Sequence, residues 1–457
     1  MSKPGLFGLS SDMKTQLAAK LASRRAAQDA RAAAPADPAP ERAPPLGDPK
    51  AIADIQMMRS AGRLLRIEDP YFRPHAGVAG ATTLIGNQTY DNFVSYNYLG
   101  LNGDPRVSGA AKAAIDRYGT SVSASRVVSG ERPVHRELEA ELADVYDAED
   151  CLALVSGHAT NVTVIGHLVD RDDIVVHDAL SHNSIVQGAL LSGARRASFP
   201  HNDVDELDRL LGAMRPRAKR ALVVVEGHYS MDGDVPDLAR MIPVVRRHRA
   251  SLMVDEAHSL GVLGATGCGV AERCGVDPRE VDLWMGTLSK TLSGCGGYVA
   301  GGRGVIDYLR CSAPGFVYSV GLSPPVAAAA LEALRIMRAE PERVTRLARN
   351  AALFLAECRA AGLDTGGSVG AAIVPVITGS SIRAAKVADA LFQRGINVQP
   401  IVYPAVPERS ARLRFFISSL HDEEAIRRVA AEAARALEEA EAEKISLAEL
   451  ARQLARG

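Results

Sequence analysis

The sequence predicts an α/β fold, with a mostly parallel sheet covered by helices and a smaller C-terminal α+β domain. From about residue 105, short apolar runs alternate with amphipathic stretches of helical spacing, which is typical of parallel sheets. An Ala-rich helical region then begins around Pro324 and runs from Val326 to about Ala361. It separates the alternation from a second set of short apolar runs. The chain of 457 residues is long enough for two packed domains.

The first 50 residues differ in composition from the rest of the chain, so we predict a separate tail over residues 1–50. Residues 12–33 contain helix formers with apolar residues at near-helical spacing, and residues 34–50 are rich in Ala and Pro. We expect either a disordered tail or a docking helix on an Ala/Pro linker, with a carrier protein as its partner. The start of the chain does not have the pattern of a signal peptide.

Residues 51–104 are predicted to form an N-terminal segment. We expect a helix over 51–67 and a small antiparallel element at 83–85 and 93–98. The large domain is predicted over residues 105–330. Its expected helices include 135–145 and 204–211, and its expected strands are 152–155, 174–176, 221–225, 252–254, 283–285 and 297–300.

The smaller domain is predicted over residues 331–440. We expect strands near 372–377, 396–400 and 413–417, followed by a charged helix that begins at Asp422. Residues 441–457 are predicted as a C-terminal helical tail. No internal repeat is visible in the sequence.

Composition narrows the class of protein. Hydrophobic residues make up 47% of the chain, which fits a globular protein with a large core. The formal net charge of −1 gives no electrostatic reason to expect nucleic acid or an anionic membrane as partner. The six cysteines form no C-x-x-C pair, so neither a metal site nor a disulfide framework is indicated, and a reducing cytoplasm is expected. No uncharged apolar run reaches the length of a transmembrane helix.

The most informative stretch is residues 283–297, LWMGTLSKTLSGCGG. An apolar strand leads into Gly286 and then to a single lysine, Lys290, which hydroxyl residues and glycines surround. Upstream, a second apolar strand ends on Asp255, and His258 follows three residues later. Ligands bind at the carboxyl ends of parallel strands, so these three side chains are expected to converge on one crevice.

An amine, a carboxylate and an imidazole around one crevice suit pyridoxal 5'-phosphate (PLP). The lysine would form the Schiff base, and the carboxylate would pair with the pyridinium nitrogen. The Asp255-Glu256 pair would also suit a nucleotide-binding metal site. That interpretation requires a phosphate-binding loop, and the sequence contains no G-x-x-x-x-G-K-[ST] motif.

The chain resembles the α-oxoamine synthases, PLP enzymes of fold type I (the aspartate aminotransferase-like fold). Members include 8-amino-7-oxononanoate synthase, 5-aminolevulinate synthase, 2-amino-3-ketobutyrate CoA ligase and serine palmitoyltransferase. The similarity is collinear over about residues 90–440, and the segments VDEAHS and GTLSK look closest to serine palmitoyltransferase. The matching segments are NYLGL at 97–101, SASRVVSG at 123–130, HRELEAELA at 135–143, SGHATN at 156–161, SHNSIVQGA at 181–189, EGHYSMDGD at 226–234, VDEAHSLGVLG at 254–264, GTLSK at 286–290 and ARLRFFIS at 411–418.

The resemblance assigns four catalytic roles. Lys290 matches the Schiff-base lysine, which also takes the Cα proton of the amino acid. Asp255 matches the acid that keeps the pyridine nitrogen protonated. His258 matches the donor to the phenolic oxygen of the cofactor, and His182 matches the histidine stacked on its ring.

Phosphate binding is expected at the turn between a predicted strand and the helix that follows it. Ser156, Gly157 and His158 follow the strand at 152–155, and backbone N–H groups at a helix N-terminus suit a phosphate. The alternative is an ordinary turn in which Ser156 caps the helix. Hydroxyl groups would be added by Thr287 and Ser289. A further serine, Ser230, matches a family serine near the phenolic side of the cofactor.

Substrate recognition depends on fewer residues. The resemblance implies that Arg414 grips the carboxylate of the amino acid, which a guanidinium does through a bidentate pair. It also implies that Asn97 reaches the same carboxylate. Because Arg412 shares a strand face with Arg414, either arginine could be the one that binds.

Two segments depart from the family pattern. Val320 and Gly321 stand where relatives often carry hydroxyl residues that reach the phosphate of the neighbouring subunit. The stretch 119–124 has fewer glycines than the usual loop near the acyl entrance. The identity of the acyl group therefore stays open.

The implied reaction is a decarboxylative Claisen-type condensation of glycine, serine or alanine with an acyl thioester, carried by CoA or by an acyl carrier protein. An α-amino ketone, CO2 and a free thiol would be the products, and a homodimer is expected. Two alternatives remain, a fold-type-I aminotransferase and a non-catalytic PLP-binding protein. Residues 1–50 are too short and too neutral to be the DNA-binding segment that a PLP-dependent regulator would carry.

Overall fold

The computed structural model describes residues 46–443, together with residues 16, 18–20, 22 and 23. The described part of the chain begins with helix α1 (Pro49–Leu64), where Pro49 occupies the first turn and the Asp48 side chain accepts a hydrogen bond from the Lys50 N–H. A small ladder follows, made of strands β1 (His75–Ala76), β2 (Thr82–Ile85) and β3 (Gln88–Asn92).

Helices α2 (Pro105–Tyr118) and α3 (Pro133–Val145) lead to a seven-stranded sheet at the centre of the molecule. Its strand order is β4-β10-β9-β8-β7-β5-β6, and all neighbours are parallel except β10, which is antiparallel to both β4 and β9. The strands are β4 (Asp150–Leu154), β5 (Ile174–Asp178), β6 (Arg195–Phe199), β7 (Ala221–Glu226), β8 (Ser251–Asp255), β9 (Leu283–Thr287) and β10 (Gly297–Gly301).

The helices that connect these strands pack against the sheet and contribute to its two apolar layers. They are α4 (Gly157–Leu168), α5 (Asn183–Ser192), α6 (Val204–Met214), α7 (Leu238–Arg247), α8 (Val270–Cys274), α9 (Arg303–Ser312) and α10 (Pro314–Val317). The inner strands are buried along their length, as in β7, whose sequence ALVVVE is rich in β-branched residues. The six predicted strands and the two predicted helices of this region are confirmed.

Helices α11 (Pro324–Ala339) and α12 (Glu342–Ala360) lead to the C-terminal elements. These are β11 (Ile373–Ile377), α13 (Ser381–Gln393), β12 (Ile396–Asn397), β13 (Gln399–Ile401), β14 (Arg412–Phe416) and α14 (Glu423–Ala442). Strands β11, β14 and β13 form a three-stranded antiparallel sheet, whereas β12 joins the N-terminal ladder beside β3.

Several local predictions require correction. The Ala-rich region is two helices, because the chain leaves helical geometry at Glu340 before Pro341. The strand predicted at 396–400 is divided between two sheets, and the second strand of the N-terminal ladder is 88–92 rather than 93–98. Edge strand β6 was not predicted, since its residues are mostly exposed and include two arginines.

The predicted start of the last helix is confirmed, and the Asp422 side chain caps it by accepting from the Ala425 N–H. Most of the predicted C-terminal tail, and most of the N-terminal tail with its docking helix, lie outside the described residues. No helix in the part of the chain that the structure describes is long and apolar enough to cross a membrane.

Candidate active site

The site forms at the carboxyl edge of the seven-stranded sheet. Strand β7 ends at Glu226 and strand β8 at Asp255, and the two residues are direct partners in the parallel ladder. On the other side of β8, Asp255 pairs with Met285 of β9, and Lys290 lies three residues beyond the end of that strand. Because parallel strands end at the same edge, this register brings two carboxyl groups and one amine to the same crevice.

Asp255 is buried and held by two hydrogen bonds. Its Oδ1 accepts from the Ala257 N–H at 2.9 Å, and its Oδ2 accepts from the Asn161 side-chain amide at 2.7 Å. The Asn161 amide also donates to the Ser184 hydroxyl at 2.9 Å, which ties helix α4 to helix α5. The carboxyl group is therefore fixed in place, with lone pairs remaining for a protonated ring nitrogen.

Lys290 is partly buried, and its ammonium lies 5.6 Å from the centre of the Tyr96 ring. Burial lowers the pKa of Lys290 to about 8, and Asp255 and Glu226 partly oppose that shift. An amine with a pKa near neutrality is available as a nucleophile and as a base at physiological pH.

His258 is buried, and its Nδ1 lies 2.8 Å from the Tyr98 hydroxyl. Burial, followed by the charge of Lys290, lowers the pKa of His258 well below its usual value, so the imidazole is neutral. In the tautomer in which Nδ1 accepts from the Tyr98 hydroxyl, the proton of the neutral ring resides on Nε2. His258 can then donate that proton in a hydrogen bond to a phenolic oxygen.

His182 precedes helix α5, and its backbone N–H donates to the Glu226 carboxyl group at 2.5 Å. The residue keeps some exposure to solvent. Partial burial in the crevice lowers the pKa of His182, and the charges of Lys290 and His158 lower it further. Burial, followed by the charge of Asp255, raises the pKa of Glu226 to about 8. The protein therefore places beside Asp255 a second carboxyl group, Glu226, that tends to stay protonated.

A compact cradle lies where helix α4 meets the end of β9. A Cβ added to Gly157 would lie 2.8 Å from the Thr287 hydroxyl oxygen, and a Cβ on Gly297 would lie 2.7 Å from the Gly157 Cα. The Thr287 and Ser289 hydroxyls are 2.8 Å apart. The amides of Gly157 and His158 precede the first helical hydrogen bond, so they can bind an anion together with these hydroxyls.

The Ser156 hydroxyl accepts from the Ala159 N–H at 3.4 Å, so this side chain acts as the helix cap that the sequence left as the alternative. The cradle fits the phosphate of PLP, and Asp255 and His258 offer the partners that its pyridine nitrogen and phenolic oxygen need. These residues therefore fit the cofactor that the sequence predicts.

The two arginines of β14 differ in what they bind. Arg412 forms a 2.7 Å ion pair with Asp232 and also donates to the Met231 carbonyl oxygen. Arg414 donates from Nη1 to the Ser230 carbonyl oxygen at 3.0 Å, and its Nε has no hydrogen-bond partner among the described residues. Arg414 therefore keeps capacity for a substrate carboxylate, whereas the Arg412 guanidinium is engaged within the protein.

The expectation that Asn97 reaches the same carboxylate is not supported by its contacts. Its amide nitrogen donates to the carbonyl oxygens of Ala79 at 2.7 Å and Asn102 at 3.1 Å, and its oxygen accepts from the Asn102 N–H. The side chain is buried and its hydrogen-bonding groups are occupied, so it shapes the backbone after β3. The aromatic ring of the neighbouring residue, Tyr96, lies beside Lys290.

Sequence reasoning did not identify four residues of the site, namely Tyr96, Tyr98, Asn161 and Glu226. All four lie within or directly beside the segments that carry the family resemblance. Their roles depend on partners that are distant along the chain, such as Asn161 with Asp255, which are 94 residues apart. The sequence contains a signal for Glu226, because it is an acidic residue directly after the predicted strand at 221–225.

Comparison with known proteins agrees with this site. Residues 90–432 match the family model described as aminotransferase class I and II. An 8-amino-7-oxononanoate synthase from Anaeromyxobacter sp. (strain K) is 44% identical over 349 residues, which cover 76% of this chain and 87% of that protein. A protein of the same name from Geobacter sulfurreducens is 41% identical over 384 residues, covering 84% of this chain and 96% of that protein.

Solved structures give the same result. Serine palmitoyltransferase from Sphingomonas wittichii superposes with a TM-score of 0.82 at 30% identity, covering 87% of this chain and all of that chain. A high-resolution structure of serine palmitoyltransferase with a PLP internal aldimine superposes with a TM-score of 0.81 at 30% identity. It covers 86% of this chain and all of that chain.

Proposed function

The chain belongs to the α-oxoamine synthases, PLP-dependent C-acyltransferases with the fold-type-I architecture, and on that premise we propose that it condenses a small amino acid with an acyl thioester. The family resemblance, the fold class and the cofactor predicted from the sequence are confirmed. One observation supports the assignment of residues. Asp255 and Arg414 both lie close enough to Lys290 to shift its pKa, in opposite directions, and the Nε of Arg414 has no hydrogen-bond partner among the described residues.

When PLP is bound, it supplies an electron sink for negative charge that develops at the α carbon of the amino acid. The residues of the chain bind and orient both reactants. We assign the phosphate to the amides of Gly157 and His158 and to the hydroxyls of Thr287 and Ser289. The pyridine nitrogen is assigned to Asp255, whose two existing hydrogen bonds fix its orientation.

Lys290 is assigned the covalent attachment to the cofactor and the transfer of the Cα proton. Its lowered pKa, about 8, allows the amine to accept that proton at neutral pH and to return it later. His258 is proposed to donate a hydrogen bond from Nε2 to the phenolic oxygen of the cofactor, because its Nδ1 contacts the Tyr98 hydroxyl. The ring of His182 is proposed to stack on the face of the cofactor ring.

Arg414 is assigned the carboxylate of the amino acid. Its guanidinium lies 4.6 Å from the centre of the Phe416 ring and donates to the Ser230 carbonyl oxygen, which leaves its Nε side for a bidentate pair. Ser230 thus contributes its backbone oxygen to the orientation of Arg414, and its assignment to the phenolic side of the cofactor remains a proposal. The rings of Tyr96, His258 and Phe416 crowd this part of the crevice, which favours glycine, alanine or serine.

Free-thiol release with a panel of acyl-CoAs and small amino acids tests the proposal. We expect thiol and CO2 in equal amounts, with no requirement for a keto acid. An aminotransferase would turn over with a keto acid and release no thiol, and a non-catalytic PLP-binding protein would do neither. The names of the relatives favour the synthase.

We propose a homodimer on the basis of an exposed apolar patch beside the cofactor cradle. Val128 is 80% exposed and Tyr318 is 86% exposed, and Val127 and Val320 are also exposed. The two segments that carry these residues are joined by a hydrogen bond from the Gly321 N–H to the Ala124 carbonyl oxygen. Exposed apolar patches of this kind mark protein–protein contacts. Light scattering that detected only an active monomer would contradict this assignment.

The cytoplasm is proposed as the compartment. All six cysteines are free, and Cys295 and Cys311 are exposed, which suits a reducing environment.

A further inference from the structure

A histidine between β6 and α6 forms ion pairs with two aspartates. The Nδ1 atom of His201 is 2.9 Å from the Asp178 carboxylate, and its Nε2 is 2.7 Å from the Asp234 carboxylate. Because each ring nitrogen faces a carboxylate, both nitrogens carry a proton and the ring is an imidazolium. Burial lowers the pKa of His201, but the hydrogen bonds with the two carboxylates outweigh burial and raise it to about 10. The cation therefore persists at physiological pH.

The first aspartate belongs to the large sheet. Asp178 is the last residue of β5 and is fully buried. Its Oδ1 also accepts from the Leu180 N–H at 2.8 Å, and its Oδ2 accepts from the Asn202 N–H at 2.8 Å. His201 is thus anchored to the edge of the sheet by its own side chain and by the backbone of the next residue.

The second aspartate closes the loop that follows β7, residues 227–234. The Asp234 carbonyl oxygen accepts from the Tyr229 N–H at 3.0 Å, and the Gly233 N–H donates to the Tyr229 carbonyl oxygen at 2.9 Å. The Oδ2 atom of Asp234 accepts from His201 at 2.7 Å and from the Asn202 side-chain amide at 2.9 Å. Backbone hydrogen bonds therefore close the loop on itself, and His201 links the closed loop to β5.

The middle of the 227–234 loop contacts the two arginines of β14. Arg414 donates from Nη1 to the Ser230 carbonyl oxygen at 3.0 Å, and the same nitrogen lies 3.3 Å from the Met231 sulfur. Arg412 donates to the Met231 carbonyl oxygen at 2.8 Å. A displacement of the loop would therefore move the atoms that orient the Arg414 guanidinium.

We propose that His201 is a positioning residue, which fixes the 227–234 loop by linking Asp234 to Asp178 and through that loop orients Arg414 toward the carboxylate of the amino acid. The inference rests on the proposed function, because that function assigns the amino acid to Arg414. Two carboxylates that approach the same position repel each other unless a cation lies between them. His201 supplies both the cation and the two donors, so it holds the loop at one distance from the sheet.

Two conservative variants separate a positioning role from a general loss of stability. The amide of His201→Asn takes the place of Nδ1 and keeps the contact with Asp178, whereas the amide of His201→Gln reaches the place of Nε2 and keeps the contact with Asp234. Both variants lose the charge and one of the two hydrogen bonds, so both should lower the melting temperature by a similar amount. Only His201→Asn releases the 227–234 loop.

His248→Asn is the matched control. The Nε2 atom of His248 lies 2.5 Å from Asp208 of α6, so this change also removes the contact of an Nε2 atom with an aspartate. Within residues 46–443, neither His248 nor Asp208 forms a hydrogen bond with the 227–234 loop.

The experiment measures kcat and KM of the holoenzyme for glycine, L-alanine and L-serine, with the acyl-CoA that gives the fastest thiol release. It also measures hydrogen–deuterium exchange of peptides that cover residues 227–234. We expect His201→Asn to raise KM for the amino acid about tenfold and to speed exchange in the loop, with kcat within about threefold of wild type. His201→Gln and His248→Asn should keep KM within about threefold of wild type and should keep the wild-type rate of exchange.

Two results would overturn the inference and leave the proposed function intact. An equal rise in KM for His201→Asn and His201→Gln would show a general effect of lost charge or stability. Faster exchange of the loop in His201→Asn with an unchanged KM would show that the loop does not orient Arg414. Wild type that releases no thiol with any of the amino acids and acyl-CoAs would overturn the proposed function, and the inference with it.

Discussion

Asp255 at the edge of the large sheet and Arg414 on the small sheet are both assigned to charged groups of the reactants, yet the protein holds them differently. Asp255 is buried, and each of its oxygens accepts a hydrogen bond from the protein. Arg414 is only partly buried, and its Nε has no partner in the part of the chain that the structure describes. The cofactor half of the site is thus fixed in advance, whereas the substrate half keeps unused hydrogen-bonding capacity.

This difference predicts separate kinetic effects for the two halves. Groups that act on developing charge change kcat, and groups that bind reactant and transition state equally change KM. Variants of the two halves can therefore be ordered by which constant they change and by how much.

The largest effect is expected for Asp255→Asn. The amide keeps the shape of the side chain but cannot stabilise a protonated ring nitrogen, so kcat should fall by about 1,000-fold or more. KM for the amino acid should stay close to wild type, and the protein should still retain PLP by visible absorbance. A variant with near-normal kcat would show that Asp255 does not pair with the ring.

The second effect separates the two arginines. Arg414→Gln should raise KM for the amino acid about 100-fold, on the order of 3 kcal/mol for a charged pair, with little change in the PLP spectrum. Arg412→Gln should instead lower the melting temperature, because it breaks the ion pair with Asp232, and should leave that KM close to wild type. The opposite pattern would assign the carboxylate to Arg412.

A smaller effect is expected where the two halves meet, at Tyr98. Its hydroxyl contacts His258 beside the large sheet, and its backbone oxygen accepts from the Ser419 N–H just after β14. Tyr98→Phe removes the hydroxyl that contacts Nδ1 of His258, so the ring can adopt either neutral tautomer. We therefore expect kcat to fall about tenfold and the visible absorbance band of the holoenzyme to shift. Tyr90→Phe is the control, because within residues 46–443 that hydroxyl has a single hydrogen bond, to the Gln88 side chain. Equal behaviour of the two variants would remove the positioning role.

The sequence predicted which residues converge at the edge of the large sheet better than it predicted the side-chain contacts on the small sheet, and the reason is physical. Lys290, Asp255, Gly157 and Thr287 each lie at or just beyond a strand end, and the crossovers of a parallel sheet bring those ends to one edge. Local pattern and topology were therefore sufficient to place them together.

The substrate half depends on side-chain direction, which spacing does not determine. Nothing in the sequence indicates that Asn97 turns to the Ala79 and Asn102 backbone, or that Asp232 engages Arg412 and leaves Arg414 available. Strand β6 was missed for a related reason, because an edge strand with exposed arginines has no apolar alternation.

The smallest effect is expected for the N-terminal tail. Deleting residues 1–45 keeps Asp48, which caps helix α1, and should leave kcat and KM with free acyl-CoA within about twofold of wild type. If the tail is a docking helix, KM for a carrier-bound acyl donor should rise, because tethering increases the effective concentration of a partner. An equal change with both donors would show that the tail acts on the site itself.

The central claim is that Lys290 is the residue that carries the cofactor, and borohydride reduction followed by peptide mapping tests it most directly. Reduction of the PLP-loaded protein should leave a pyridoxyl group on the peptide that contains Lys290. Lys290→Ala should lack the absorbance band of the lysine-linked cofactor and should carry no label on any peptide. A pyridoxyl group on a different lysine of the wild-type protein would contradict the account.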